Sequence, residues 1–175
     1  MSFPTGIRLF AIVAALLFLC SPTHGQATDA MLSYRGFELG SHYDSLSIDQ
    51  HKSLQKRGKF QKLIRFDVMA EHLHQDGIAL RFVRLFYWHN HLHSIDVKSG
   101  NGQGNELREW IEKKFGEGIQ EDAMGYKFLW EFPGYRVFLE QNLVTKDATI
   151  TFLHDETHNS YYKFMYEKQY GTQNR

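Results

Sequence analysis

Ala79-Leu80-Arg81-Phe82-Val83-Arg84-Leu85-Phe86-Tyr87-Trp88, then His89-Asn90-His91, then Leu92-His93-Ser94-Ile95-Asp96-Val97 carries the clearest structural pattern in the chain. Both flanks are rich in β-branched and aromatic residues, which suit a pleated, half-buried surface. Between them, Asn90 tolerates the left-handed backbone of a tight turn. The stretch therefore predicts an antiparallel hairpin with Asn90 at its tip.

Working outward, Asn105 to Phe115 predicts a helix. Leu107, Trp110, Ile111 and Phe115 form one apolar stripe, and Gly116 ends it. Glu106 and Glu109 lie near the positive end of the helix dipole, Lys113 and Lys114 near the negative end. The Asn105 side chain is the expected N-cap. Three strands are expected beyond it: Lys127–Phe132, a Pro133-Gly134 turn, Tyr135–Glu140, a Thr145-Lys146-Asp147 turn, and Ala148–Leu153. In the tail, Tyr162, Met165, Tyr166 and Gln169 favour a helix, although Tyr162, Phe164 and Tyr166 also fit strand alternation.

Upstream of the hairpin, Leu32–Gly40 reads as a strand. Tyr43, Leu46 and Leu54, with Gly58 as a stop, predict a helix within 42–57. Ile64, Phe66 and Val68 alternate as a strand over 60–69, and Asp76-Gly77 marks a turn. Hairpin strands with helices set apart from them define an α+β fold. The expectation is an antiparallel sheet of about five to six strands with two or three helices packed on one face.

Ahead of this body, Leu9–Leu19 is an unbroken apolar run behind Arg8, followed by Cys20 and by small residues at Gly25 and Ala27. That layout predicts a signal peptide over 1–27, cut after Ala27, with Gly25 as the alternative site. A membrane span needs ~20 apolar residues, so the run is too short to remain as one. The mature domain, 28–175, is expected to work in the periplasm or outside the cell. Lipid attachment at Cys20 would want a small residue before it, and Leu19 stands there instead.

The body is long enough for one well-buried core. The chain balances 20 Lys and Arg against 20 Asp and Glu, and its basic residues form no long run, which argues against a nucleic-acid partner. Cys20 is the only cysteine, so the mature chain has no thiol for a disulfide, a thiol enzyme or a Cys-ligated zinc site.

Ten histidines stand out. His89, His91 and His93 recur at every second residue, and His72 and His74 repeat the spacing. On a strand such residues share a face, where paired imidazoles can ligate zinc. Metal binding through His89, His91 or His93 with His72 or His74 is therefore one expectation, as a zinc protein or a metal-dependent hydrolase; without it, no cofactor is expected. His154 and His158 would share a face on a helix, but His154–His158 lacks the His-Glu-x-x-His order. Exposed loops at a turn are the simpler explanation of these histidines, and protonation below neutral pH is a further possible role. Gly100–Gly104 is glycine-rich ahead of a helix, yet its spacing does not match a phosphate-binding fingerprint. No Gly-x-Ser-x-Gly occurs. Trp88, Trp130 and Tyr135 are candidates to line a binding face, alongside His89 and His91, because antiparallel sheets often leave one face open. The same aromatics suit stacking on sugars, a carbohydrate-binding alternative.

Three of these stretches together carry a family resemblance: Phe37-Glu38-Leu39-Gly40; the strand-turn-strand from Leu85 to Val97; and Leu107, Ile111, Phe115 and Gly116 leading to a strand with Trp130. They resemble small exported bacterial proteins of the outer-membrane assembly lipoprotein and β-lactamase-inhibitor-protein type. The resemblance covers about half of the mature chain, and those families place two helices before their strands, whereas here a strand at 60–69 comes early. It implies protein–protein binding rather than catalysis, as an accessory subunit, inhibitor or immunity-type partner.

Overall fold

The computed structural model describes residues 33–100 and 102–170. The expected signal peptide, its cleavage sites and Cys20 lie outside the described residues. So does the first residue of the strand expected from Leu32.

The fold is α+β, with a large antiparallel sheet and three helices. A hairpin of β1 (Ser33–Tyr34) and β2 (Phe37–Glu38) leads to α1 (Ile48–Ser53). The sheet contains β3 (Leu54–Phe60), β4 (Leu63–Val68), β5 (His74–Gln75), β6 (Ile78–Trp88), β7 (His91–Ser99), β8 (Ile119–Gln120), β9 (Lys127–Phe132), β10 (Tyr135–Gln141) and β11 (Ala148–His154). Helices α2 (Gly104–Phe115) and α3 (Asp155–Tyr170) complete the described chain. The strand order is β3-β4-β6-β7-β11-β10-β9-β8, with β5 pairing on β6. Among the described residues, no helix is long and apolar enough to cross a membrane.

The sheet therefore has nine strands rather than five or six. The difference lies mainly at 54–60, where a helix was expected over 42–57. Ser47 closes a capping box with Gln50, but α1 ends at Ser53 and the chain straightens into β3 against β4. Six of the seven β3 residues are exposed, so no apolar alternation marks the strand. The short β5 and β8 are likewise set by their partners. The strand expected over Leu32–Gly40 folds back on itself, because Arg35 and Gly36 both adopt left-handed backbone.

Val83, Leu85, Tyr87, Leu92, Ile95 and Val97 of the central hairpin are fully buried, and Leu107 and Ile111 of α2 press onto the same layer. Helix α2 starts at Gly104, with Gln103 as an N-cap that makes no side-chain capping bond. Asn105 is not the cap: its side-chain oxygen accepts from Gln141 instead. The reason is tertiary. A Cβ on Gly104 would lie 2.4 Å from the Lys146 carbonyl oxygen, so the helix enters where only glycine fits against the β10–β11 connection.

The helices do not share one face. Leu85 and Tyr87 point to the α2 side, so Trp88 points to the other. There it meets Tyr161 and Phe164 of α3. Helix α3 thus covers one end of the opposite face, and no other described helix covers the rest.

Candidate functional site

The β6–β7 turn contains two residues. His89 and Asn90 have φ of 50° and 65°, which closes the hairpin tightly and makes His91 the first residue of β7. Residues 40–43 then run along this end. Gly40 N–H donates to Leu92 O at 2.8 Å, and Tyr43 N–H donates to Asn90 O at 2.7 Å. His42 lies opposite His91 across a β-bridge, with ring centroids 5.2 Å apart.

Gly40 joins this corner to the end of β11. A Cβ there would lie 3.1 Å from the His154 ring, so the missing side chain is what admits that imidazole. His91 Nδ1 is 3.0 Å from the Gly40 carbonyl oxygen. A carbonyl only accepts, so Nδ1–H is the donor. Thr157 Oγ1–H donates to His154 O, and His154 Nδ1 lies 3.1 Å from the same Oγ1. The Thr157 hydroxyl thus ties the His154 ring to its own backbone carbonyl and fixes the ring's orientation. The Tyr135 ring is 5.1 Å from that of His154.

A bulge completes the seam. Phe86 pairs with Ser94 and Tyr87 with Leu92, which leaves His93 as the extra residue. Its ring stacks on His158 of α3, centroids 5.4 Å apart and 6° from parallel, and also meets Tyr161. Both His93 Nδ1 and His158 Nδ1 are buried without a hydrogen-bond partner. Burial, reinforced by the nearby His158 and His154, pushes the His93 pKa down to about 4. Burial also lowers His158, helped by Arg136 and opposed by Asp155. His154 is lowered by burial, against Glu156 and Asp155. Five histidines from four chain segments thus line one seam, and burial disfavours the charged form of three of them, His93, His154 and His158.

The residues singled out from sequence scatter around this seam. Tyr135, His91 and His93 belong to it. His89 is exposed and packs its ring 4.7 Å from that of Trp88. Trp88 is buried under α3, and its Nε1–H donates to Ser160 Oγ at 3.3 Å. Trp130 is a core residue rather than part of an open face: it is buried and donates to the Gly116 carbonyl at 2.9 Å. His72 and His74 do not join His89, His91 or His93. They lie by the start of β6, which at ~3.3 Å per residue puts roughly 30 Å between the two groups. The expected metal set is therefore not assembled. Among the described residues, no three His, Cys, Asp or Glu side chains converge to hold a metal ion. His154 and His158 do not share a helix face, since His154 ends β11 and only His158 is helical. In the glycine loop, Gly102 N–H is taken by Asp147 and Gly104 N–H by Lys146 O, so these donors are committed.

The uncovered face is the second feature; an open face was expected, but with Trp88, Trp130 and Tyr135 on it, and other residues occupy it. Strand register lines up Asp67, Arg84, Asp96, Thr151, Phe138 and Leu129 as one row across six strands. Thr151 Oγ1–H donates to Asp96 at 2.9 Å. The Arg84 guanidinium stacks 3.7 Å over Phe82, and the Arg136 guanidinium lies 5.8 Å from the Phe138 ring. Arg57, Arg65 and Arg84 gather around Asp67, with nearest Nε–O distances of 3.3, 3.2 and 3.8 Å. Alternation along β4 and β6 is the signal that would have placed Arg65, Asp67, Arg84 and Phe86 on one face.

Comparison with family models, with curated proteins and with solved structures finds no match to this chain. The family resemblance described above rests on its sequence motifs.

Proposed function

We propose that this chain is an exported protein that acts by binding another protein through the uncovered face of its sheet, as an accessory subunit, inhibitor or immunity-type partner. One observation carries the reading. A nine-stranded sheet is packed on one side by α2 and left bare on much of the other, and that bare side is not uniformly polar. Phe82, Phe86, Phe138 and Leu129 are half-buried there among Arg, Asp and Thr side chains. Rigid aromatic and apolar area framed by arginine is the composition that protein interfaces favour. The strands hold these groups in fixed register, so little order must be gained on binding. Export is part of the same proposal and rests on the Ile7–Leu19 leader.

The test is photo-crosslinking from single sites in the native host. A crosslinker at Phe138 is expected to capture a discrete partner, and one at Glu109 on the exposed side of α2 is not. Capture from Glu109 alone, or from neither position, would refute the assignment.

A further inference from the structure

We infer that the hollow beside Arg57 and Arg65 is a docking site for an acidic segment of a partner protein, one that presents a carboxylate next to a bulky apolar side chain. This rests on the protein-binding reading above and names the chemistry of its partner.

Geometry supplies the hollow. Gly58 on β3 pairs with Arg65 on β4, and a Cβ at Gly58 would meet nothing within 4 Å. The missing side chain opens a cavity of about 350 Å³. Its apolar walls are Phe60, Leu63 and Phe86, and its cations are Arg57, Lys59 and Arg65. No carboxylate lines it.

Charge points to the occupant. The nearest carboxylate, Asp67, already faces Arg57, Arg65 and Arg84. Two of those guanidiniums, Arg57 and Arg65, line the hollow and together offer about ten N–H donors, against roughly four lone-pair positions on the one carboxylate they share with Arg84. Arg65 Nη2–H reaches Asp67 Oδ2 at 3.4 Å, whereas Arg65 Nε, Arg84 Nε and Asp67 Oδ1 are buried without a hydrogen-bond partner, so the cluster is close in charge yet incompletely paired. Asp67 holds the forks in place, and the donors left over match a second, incoming carboxylate. Phe60 is 59% exposed and Phe86 half-buried, which gives that carboxylate's neighbour an apolar seat. A concave site of side-chain size fits a protein better than a lipid surface, into which apolar groups must protrude. The balanced charge of the whole chain supplies no long-range field for a nucleic acid.

The experiment measures binding of three fluorescein-labelled peptides, alternating Glu-Phe, Gln-Phe and Lys-Phe, to the protein. The Glu-Phe peptide is expected to bind, to weaken with salt, and to outcompete the other two. Arg65→Gln removes donors, and Gly58→Leu fills the hollow from an open edge position. Each is expected to weaken Glu-Phe binding roughly tenfold or more. Equal binding of the Gln-Phe peptide overturns the inference, as does an unaffected Gly58→Leu variant. Sedimentation with phosphatidylglycerol vesicles, without peptide binding, overturns it in favour of a membrane. If the Glu-Phe peptide fails while a Phe138 crosslinker still captures a partner, this site falls and the wider reading stands.

Discussion

Acid should loosen this protein through His93, and the size of the effect follows from its surroundings. The residue is 6% exposed, stacked on His158, and has no partner for Nδ1. Its folded pKa is about 4, against 6.5 in an unfolded chain. A lowered pKa means that the unfolded chain takes up the proton first. Stability is therefore complete above about pH 6.5 and is lost as the pH falls toward about 4. At one pKa unit per 1.36 kcal/mol, the full loss is somewhat more than about 3 kcal/mol, and roughly 2 kcal/mol is gone by about pH 5. His154 and His158 are shifted the same way and add to the loss. Asp96 opposes it, because burial raises its pKa and the folded state then keeps that proton longer. His93→Phe keeps a flat ring against His158 but cannot ionise. Urea unfolding of both proteins at about pH 7.5 and about pH 5 separates the terms, since Asp96 and the other groups are common to both. The variant should gain roughly 2 kcal/mol relative to wild type on acidification. An unchanged difference between the two pH values would show that His93 does not govern the acid sensitivity.

Gly104→Ala should lower Tm by several degrees, because its Cβ would meet backbone at 2.4 Å that a side-chain rotation cannot relieve; a thermal melt reads this directly. Ser99→Ala should cost about 1–3 kcal/mol in chemical denaturation, since Ser99 Oγ accepts the Ala148 N–H at 2.8 Å in a buried site. Trp88→Ala should raise amide exchange across α3 while leaving α2 protected, because Trp88 lies beneath Tyr161 and Phe164. Uniform exchange in both helices would show that α3 does not depend on that ring.

Much of the architecture was legible wherever a short stretch carries its own instructions. Asn90, Asp76-Gly77 and Pro133-Gly134 turn the chain by local backbone chemistry, and Leu107 and Ile111 mark the buried side of α2 by spacing alone. The candidate site was far less visible. The His-x-His repeat drew His72 and His74 together with His89, His91 and His93, yet a full strand length separates them. The real neighbours of His91 and His93 are His42, His154 and His158, contributed by other elements.

Sequence alone determined the turns, the amphipathic helix and the expectation of an exported, thiol-free body, because each follows from neighbours within a few residues. Tertiary structure decided that Leu54–Phe60 is an edge strand, that α3 covers the face opposite α2, and that Arg57, Arg65 and Arg84 surround Asp67. These outcomes depend on hydrogen-bond register between strands distant in the chain. A polar segment such as β3 has no periodicity to announce its partner, and a histidine or arginine does not reveal which remote side chain will share its surroundings.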